Sequence, residues 1–197
     1  MALSGVGIYN RLVSLSQATD KQWAQVQNVY QRRADLVPNL VATVSGAANF
    51  EKSTLTEVTE ARASVGKVQI NASSAPTDAA QLEAFDKAQG QLGTALSRLL
   101  VVSENYPQLR ATDSFRDLQA QLEGTENRIS VERGRFNEVV QAYDTAVKSF
   151  PTVLFAGMMG FKEKPYFAAT PGAETAPKVN FDFNNNNNPS GAAPAKP

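Results

Sequence analysis

The chain of 197 residues contains no cysteine and no histidine. Their absence excludes disulfides, thiolate nucleophiles, Ser-His and Cys-His catalytic pairs, and the usual zinc ligand sets. Net charge is missing too: 19 basic side chains balance 19 acidic ones, so no overall field draws the protein to nucleic acid. Nucleic acid is therefore not an expected partner. No apolar run approaches the roughly 20 residues that span a bilayer. The apolar start, Leu3 to Ile8, is far shorter and lacks the basic n-region and cleavage site of a signal peptide. It reads either as a frayed terminus of small residues or as the remnant of a longer apolar segment. Neither type of glycine-rich phosphate loop occurs, so group-transfer chemistry has no visible apparatus and no cofactor is expected. Strand alternation and 20 to 50 residue repeats are absent between residues 8 and 150.

What is there is helical periodicity. Tyr9, Leu12, Val13, Trp23, Val26, Tyr30 and Val37 recur at helical spacing among polar residues, which predicts a first helix with one apolar face. A second is expected from about Asn39 to Val68 through Leu40, Val44, Ala48, Leu55, Val58 and Val65, with Gly46 and Asn49-Phe50 weakening its middle without ending it. Residues 71–77 form a loop, and Thr77-Asp78 suits the start of a third helix running to about Asn105. Tyr106-Pro107 closes that helix. A fourth is expected from about Asp113 to Phe150, with the charged residues of Val131 to Arg135 on its outer face. The expected fold is all-α, an antiparallel four-helix bundle over residues 9–150.

The joint between the first two helices turns on one residue. A continuous rod of about 60 residues, near 90 Å, would leave half its apolar stripe without a partner. Pro38 lacks an N–H and crowds the carbonyl of Ala34, so a reversal or sharp break is expected around Asp35 to Pro38. A kinked continuous helix is the alternative.

Three polar groups are candidates for function. Arg32, Arg33 and Asp35, beside Pro38 and Asn39, would form an exposed anion or partner site at the bundle end, or else pin the helix junction by pairing with a carboxylate such as Asp35 or Glu104. Arg62, Tyr106 and Arg128 make a second cluster; mid-helix arginines there would need carboxylate partners if buried. Glu57 and Glu60 share a helix face, but di-iron bundle chemistry also needs histidine, so they read as solvated acids.

Residues 151–183 are expected to add a short helix and a strap, including Tyr166, Phe167, Val179 and Phe181, that packs on the bundle. Within it Phe155, Met158, Met159 and Phe161 would alternatively make a membrane or partner contact, with Lys162 and Lys164 beside lipid headgroups. Residues 184–197, an asparagine run followed by a proline-rich end, read as a disordered tail.

The order Tyr9-Asn10, Leu12-Val13, Trp23, Arg32-Arg33, then Asp35-Leu36-Val37-Pro38-Asn39-Leu40-Val41, resembles the LemA family. The likeness continues through Ala61-Arg62-Ala63, Glu104-Asn105-Tyr106-Pro107, Glu126-Asn127-Arg128-Ile129, Arg133, Asn137, Tyr143-Asp144 and Lys164-Pro165-Tyr166-Phe167, covering residues 9–181. The resemblance implies a membrane-associated bacterial protein with an antiparallel four-helix domain and no assigned enzymatic activity. Members carry an apolar segment before the Tyr-Asn pair, with residues 1–8 as its remnant here, or a lipoprotein cysteine where this chain has Val6. The expected location is thus a bacterial membrane, through a single N-terminal anchor or a lipoprotein-type attachment. The first functional expectation is a non-enzymatic membrane-associated scaffold of the bacterial envelope, binding other envelope or membrane proteins and open to homo-oligomerisation. The second is a small-ligand or signal-binding bundle with an anion-accepting arginine site.

Overall fold

The computed structural model describes residues 2–168 except 48, 69 and 72, with side chains described from Gly5 onward. Among the described residues every regular element is a helix: α1 (Ala2–Ser45), α2 (Lys52–Lys67), α3 (Ala79–Ser103), α4 (Pro107–Arg110), α5 (Asp113–Lys148) and α6 (Val153–Ala156). The all-α expectation therefore holds. Met1–Phe167 form one compact unit, and of the remainder only Ala168 is described. Val179, Phe181 and the tail 184–197 lie outside the described residues.

The expected break at Asp35 to Pro38 does not occur. α1 runs continuously through Pro38 for 44 residues, about 66 Å at 1.5 Å per residue. The chain reverses instead at residues 46–51, where the second helix was read as merely weakened. Asn49 takes φ 65°, a left-handed conformation that asparagine tolerates better than most side chains. Besides crowding the Ala34 carbonyl, the proline removes one helical bond, and that bond is replaced from outside the helix. A helical N–H at position 38 would have bonded the carbonyl of Ala34, and Arg62 Nε of α2 donates to that oxygen instead, at 3.1 Å.

Packing follows from one stripe on α1. Trp23, Val26, Tyr30, Val37, Leu40 and Val44 are all buried, spaced alternately by three and four residues or by seven. Contacts descend α5 as they ascend α1: Leu12 shares a cluster with Tyr143, Trp23 stacks near Phe136 with centroids 5.5 Å apart, and Arg33 reaches Glu126 at 2.9 Å. Arg98 pairs with Glu57 across α3 and α2, and Asp86 with Arg133 across α3 and α5. Asp78 caps α3 by accepting from the Ala80 N–H at 2.9 Å, as the Thr77-Asp78 signal predicts.

α2 is short, so it covers only the later half of α1. Described residues of the following loop cover α1 around Asp20 and Trp23: Trp23 Nε1 donates to the Asn71 carbonyl at 3.1 Å, and Asp20 accepts from the Ala75 N–H at 2.8 Å. Trp23 is thereby enclosed by Phe85, Phe136 and Phe167, with centroids 5.4, 5.5 and 6.1 Å away. Such aromatic pairs contribute about 0.5–1.5 kcal/mol each beyond their buried area. Phe167 is held there by Asn137 of α5, whose amide donates to the Phe167 carbonyl at 3.0 Å and accepts its N–H at 2.9 Å.

Candidate functional site

Arg33 occupies a position of the buried α1 stripe, three residues after Tyr30 and four before Val37. Its side chain is 4% exposed. Nη1 donates to Glu126 Oε1 at 2.9 Å; Nη2 donates to the carbonyl and to the Oε1 of Gln89, at 2.8 and 2.6 Å. The guanidinium lies over the Tyr30 ring, 5.1 Å from its centroid. Gly93, one turn beyond Gln89 on α3, faces it: a Cβ there would stand 3.4 Å from Nη1. Only Nε lacks a hydrogen-bond partner. The carboxylate is thus Glu126, neither of the two expected.

Arg133 belongs to a second, partly buried network. Its fork holds Asp86 at 2.6 and 3.2 Å, donates to the Tyr30 hydroxyl at 3.3 Å, and stacks over Phe167 at 4.5 Å. Burial pushes the Tyr30 hydroxyl above its ordinary pKa, and Arg133 only partly offsets this. Burial also works against the charge on Arg133, but Tyr30 and Asp86 outweigh it and raise its pKa. The expectation that Arg133 lies on the outer face of its helix is therefore overturned. Arg135 does face outward, paired with Glu132 at 2.9 Å.

Lys164 closes a third network. Its ammonium donates to Thr19 Oγ1 at 2.6 Å, Asp20 Oδ1 at 3.1 Å and Ser16 Oγ at 3.4 Å, and lies 5.3 Å from the Tyr143 ring centroid. Its N–H donates to Asp144 Oδ1 at 3.0 Å. Burial raises the Asp144 carboxyl above its ordinary pKa, against the opposing hydrogen bonds from Lys164 and Tyr166. Lys164 is buried and ion-paired, so it cannot sit among lipid headgroups as expected; Lys162 is exposed.

The remaining sequence candidates are dispersed. Arg32 is exposed and makes no ion pair among the described residues; Asp35 accepts from Gln31 at 2.7 Å on the outer face of α1, beside exposed Pro38 and Asn39. These residues stand partway along a continuous helix, not at a bundle end. Nor does the structure assemble Arg62, Tyr106 and Arg128. Arg62 is exposed and bound to the Ala34 carbonyl, Arg128 is exposed and makes no ion pair among the described residues, and Tyr106 donates to the Asn49 carbonyl at 2.8 Å, its ring 4.9 Å from Phe50. Glu57 is held by Arg98 at 3.0 Å. Among the described residues no group of acids could hold a metal ion.

The apolar set is divided. Phe155 and Met158 are exposed, whereas Met159 and Phe161 are partly buried beside Leu12, Tyr143 and buried Ala156. Phe161 meets Tyr9 edge-on, centroids 5.7 Å apart, which brings the segment after α5 against the beginning of α1. No helix among the described residues is long and apolar enough to cross a membrane.

A family model described as the LemA family matches residues 22–181. The chain is 26% identical to Magnetosome protein MamQ 2 and to Magnetosome protein MamQ 1 of Paramagnetospirillum magneticum, in each case over 186 residues covering 85% of this chain and 67% of the relative. It is 25% identical to Magnetosome protein MamQ of Magnetospirillum gryphiswaldense over the same shares.

Proposed function

The chain belongs to the LemA family, and from that premise we propose that it is a non-enzymatic, membrane-associated scaffold of the bacterial envelope. We further propose that α1, α2, α3 and α5 form its antiparallel four-helix bundle, the rigid body of that scaffold. The observation that carries this reading is where the buried and half-buried cations are engaged. Arg33, Arg133 and Lys164 each turn inward onto carboxylates of other segments, Glu126, Asp86 and Asp20. Groups engaged in this way fix helix against helix, which suits a protein whose task is to hold a shape. The named relatives are proteins of the magnetosome, and this favours membrane association.

The arginine fork that would receive an anionic ligand is occupied by Glu126 and Gln89. This weighs against the ligand-binding alternative. The test is fractionation of the native protein from its own cells. It is expected in the membrane pellet and to remain there after a high-salt wash; recovery in the soluble fraction would refute the reading.

A further inference from the structure

Residues 1–10 and 149–161 carry no charged side chain, a property they share with residues 36–50, and the fold brings residues 5–10 and 149–161 to the same end. Ile8 and Arg11 of α1 line a groove with Phe150 and Pro151, Phe161 stands against Tyr9, and Ala156 is buried in the cluster around Leu12. Most of the strongly exposed large apolar side chains among the described residues fall here. Val6 and Tyr9 lie on α1; Phe150, Val153, Leu154, Phe155 and Met158 lie around α6, with Met158 88% and Phe150 81% exposed.

The charged residues that bound the two stretches at this end are all basic: Arg11 after the first, Lys148 and Lys162 on either side of the second. Glu163 pairs with Lys148 at 2.9 Å, and Glu138 is set back from the tip only in sequence, lining the groove together with Arg11 and Phe150. Lys162 makes no ion pair among the described residues. An acid-free apolar tip bearing Tyr9, Phe150 and Phe155, behind which stands a collar of lysine and arginine, has the layering of a bilayer interface. Apolar groups enter the acyl boundary, aromatics sit at headgroup depth, and cations meet phosphate.

We infer that this tip, formed by α6 and its flanking residues against the first turns of α1, docks on the surface of an anionic bilayer. This rests on the proposed membrane association and adds to it a second contact, beyond any anchor at the start of the chain. Docking would stand α1 and α5 away from the bilayer, with the loop that follows Ser45 at the distal end.

The test is flotation of the 197-residue chain with vesicles of phosphatidylcholine containing about one part in three phosphatidylglycerol, the anionic lipid supplying the surface potential. The wild-type chain is expected to float. The triple variant Leu154→Ser, Phe155→Ser, Met158→Ser alters exposed side chains only, and is expected to bind at least about tenfold more weakly with its helical circular dichroism unchanged. The pair Arg11→Gln, Lys162→Gln is expected to abolish the preference for anionic over pure phosphatidylcholine vesicles. Val131→Ser, an exposed apolar position away from the tip, should leave flotation unchanged. Undiminished flotation of the triple variant overturns the inference. So does a wild-type chain that ignores vesicles but forms oligomers the triple variant loses, which would make the tip a contact between copies. If the native protein pellets with membranes while the triple variant floats undiminished, only this inference fails and the proposed membrane association stands.

Discussion

Arg32 and Arg33 differ by one position and therefore by about 100° around α1, which decides what each can do. Arg33 falls in the buried stripe and its fork is satisfied by Gln89 and Glu126. Replacing it with methionine strands those acceptors and is expected to cost about 2–4 kcal/mol in urea unfolding; lysine, lacking the planar fork, should cost about 1–3 kcal/mol. Arg32→Ala should fall within about 0.5 kcal/mol of wild type, as exposed substitutions do. Equal costs for the two would contradict the assignment. The distinction was legible in the spacing: 23, 26, 30, 33, 37, 40 and 44 form one run, and reading Arg-Arg as a unit hid it. Lys164 gave no such signal, because Ser16, Thr19 and Asp20 lie more than 140 residues away and only the tertiary fold brings them together. Asp144 supplies a pH test. Its carboxyl holds a proton more tightly in the folded chain than its ordinary value of 3.8, so the native state binds more protons between the two pKa values. Stability from this group therefore rises as pH falls through that window. The urea midpoint of wild type relative to Asp144→Asn should increase on acidification from about pH 6 toward 4; a relative decrease would show the carboxylate to be stabilised instead.

At the scale of elements, the α1 to α2 joint was misplaced for an instructive reason. Rules for proline describe the helix alone, where the Ala34 carbonyl loses its donor. They do not see that Arg62, 28 residues along, supplies one from the neighbouring helix. The two candidate groups read separately from sequence, one around Pro38 and one including Arg62, meet at this single oxygen. The contact predicts thermodynamic coupling. Arg62→Ala should destabilise the wild-type chain, and should do so by about 0.5–1.5 kcal/mol less in a Pro38→Ala background, where the new N–H can take the carbonyl. Strict additivity in a double-mutant cycle by chemical denaturation would show that Arg62 does not fill the proline gap. The reversal at residues 46–51 was marked in sequence by Gly46 and Asn49, but a left-handed asparagine is a permission that only packing converts into a turn. By contrast the limits of α3 are close to those expected, because Asp78 and Pro107 act on their own neighbours, and α5 begins at Asp113 as expected.

At the scale of the whole molecule, the helical class and the uncharged stretches were legible, while the sorting of polar residues into buried and exposed was not. Burial depends on which faces meet, and the meeting of residues 5–10 with residues 149–161 at one end is a property of the fold alone. The molecule thus has two distinct parts: an interior of arginine and lysine networks that holds helix to helix, and an apolar, base-collared tip proposed to dock on lipid. Hydrogen–deuterium exchange of the intact chain with and without anionic vesicles tests this directly. Slowed exchange confined to residues 5–11 and 150–162, with residues 28–40 and 83–93 unchanged, is the predicted result. Slowed exchange around Arg32 and Arg33 with no change at the tip would contradict it.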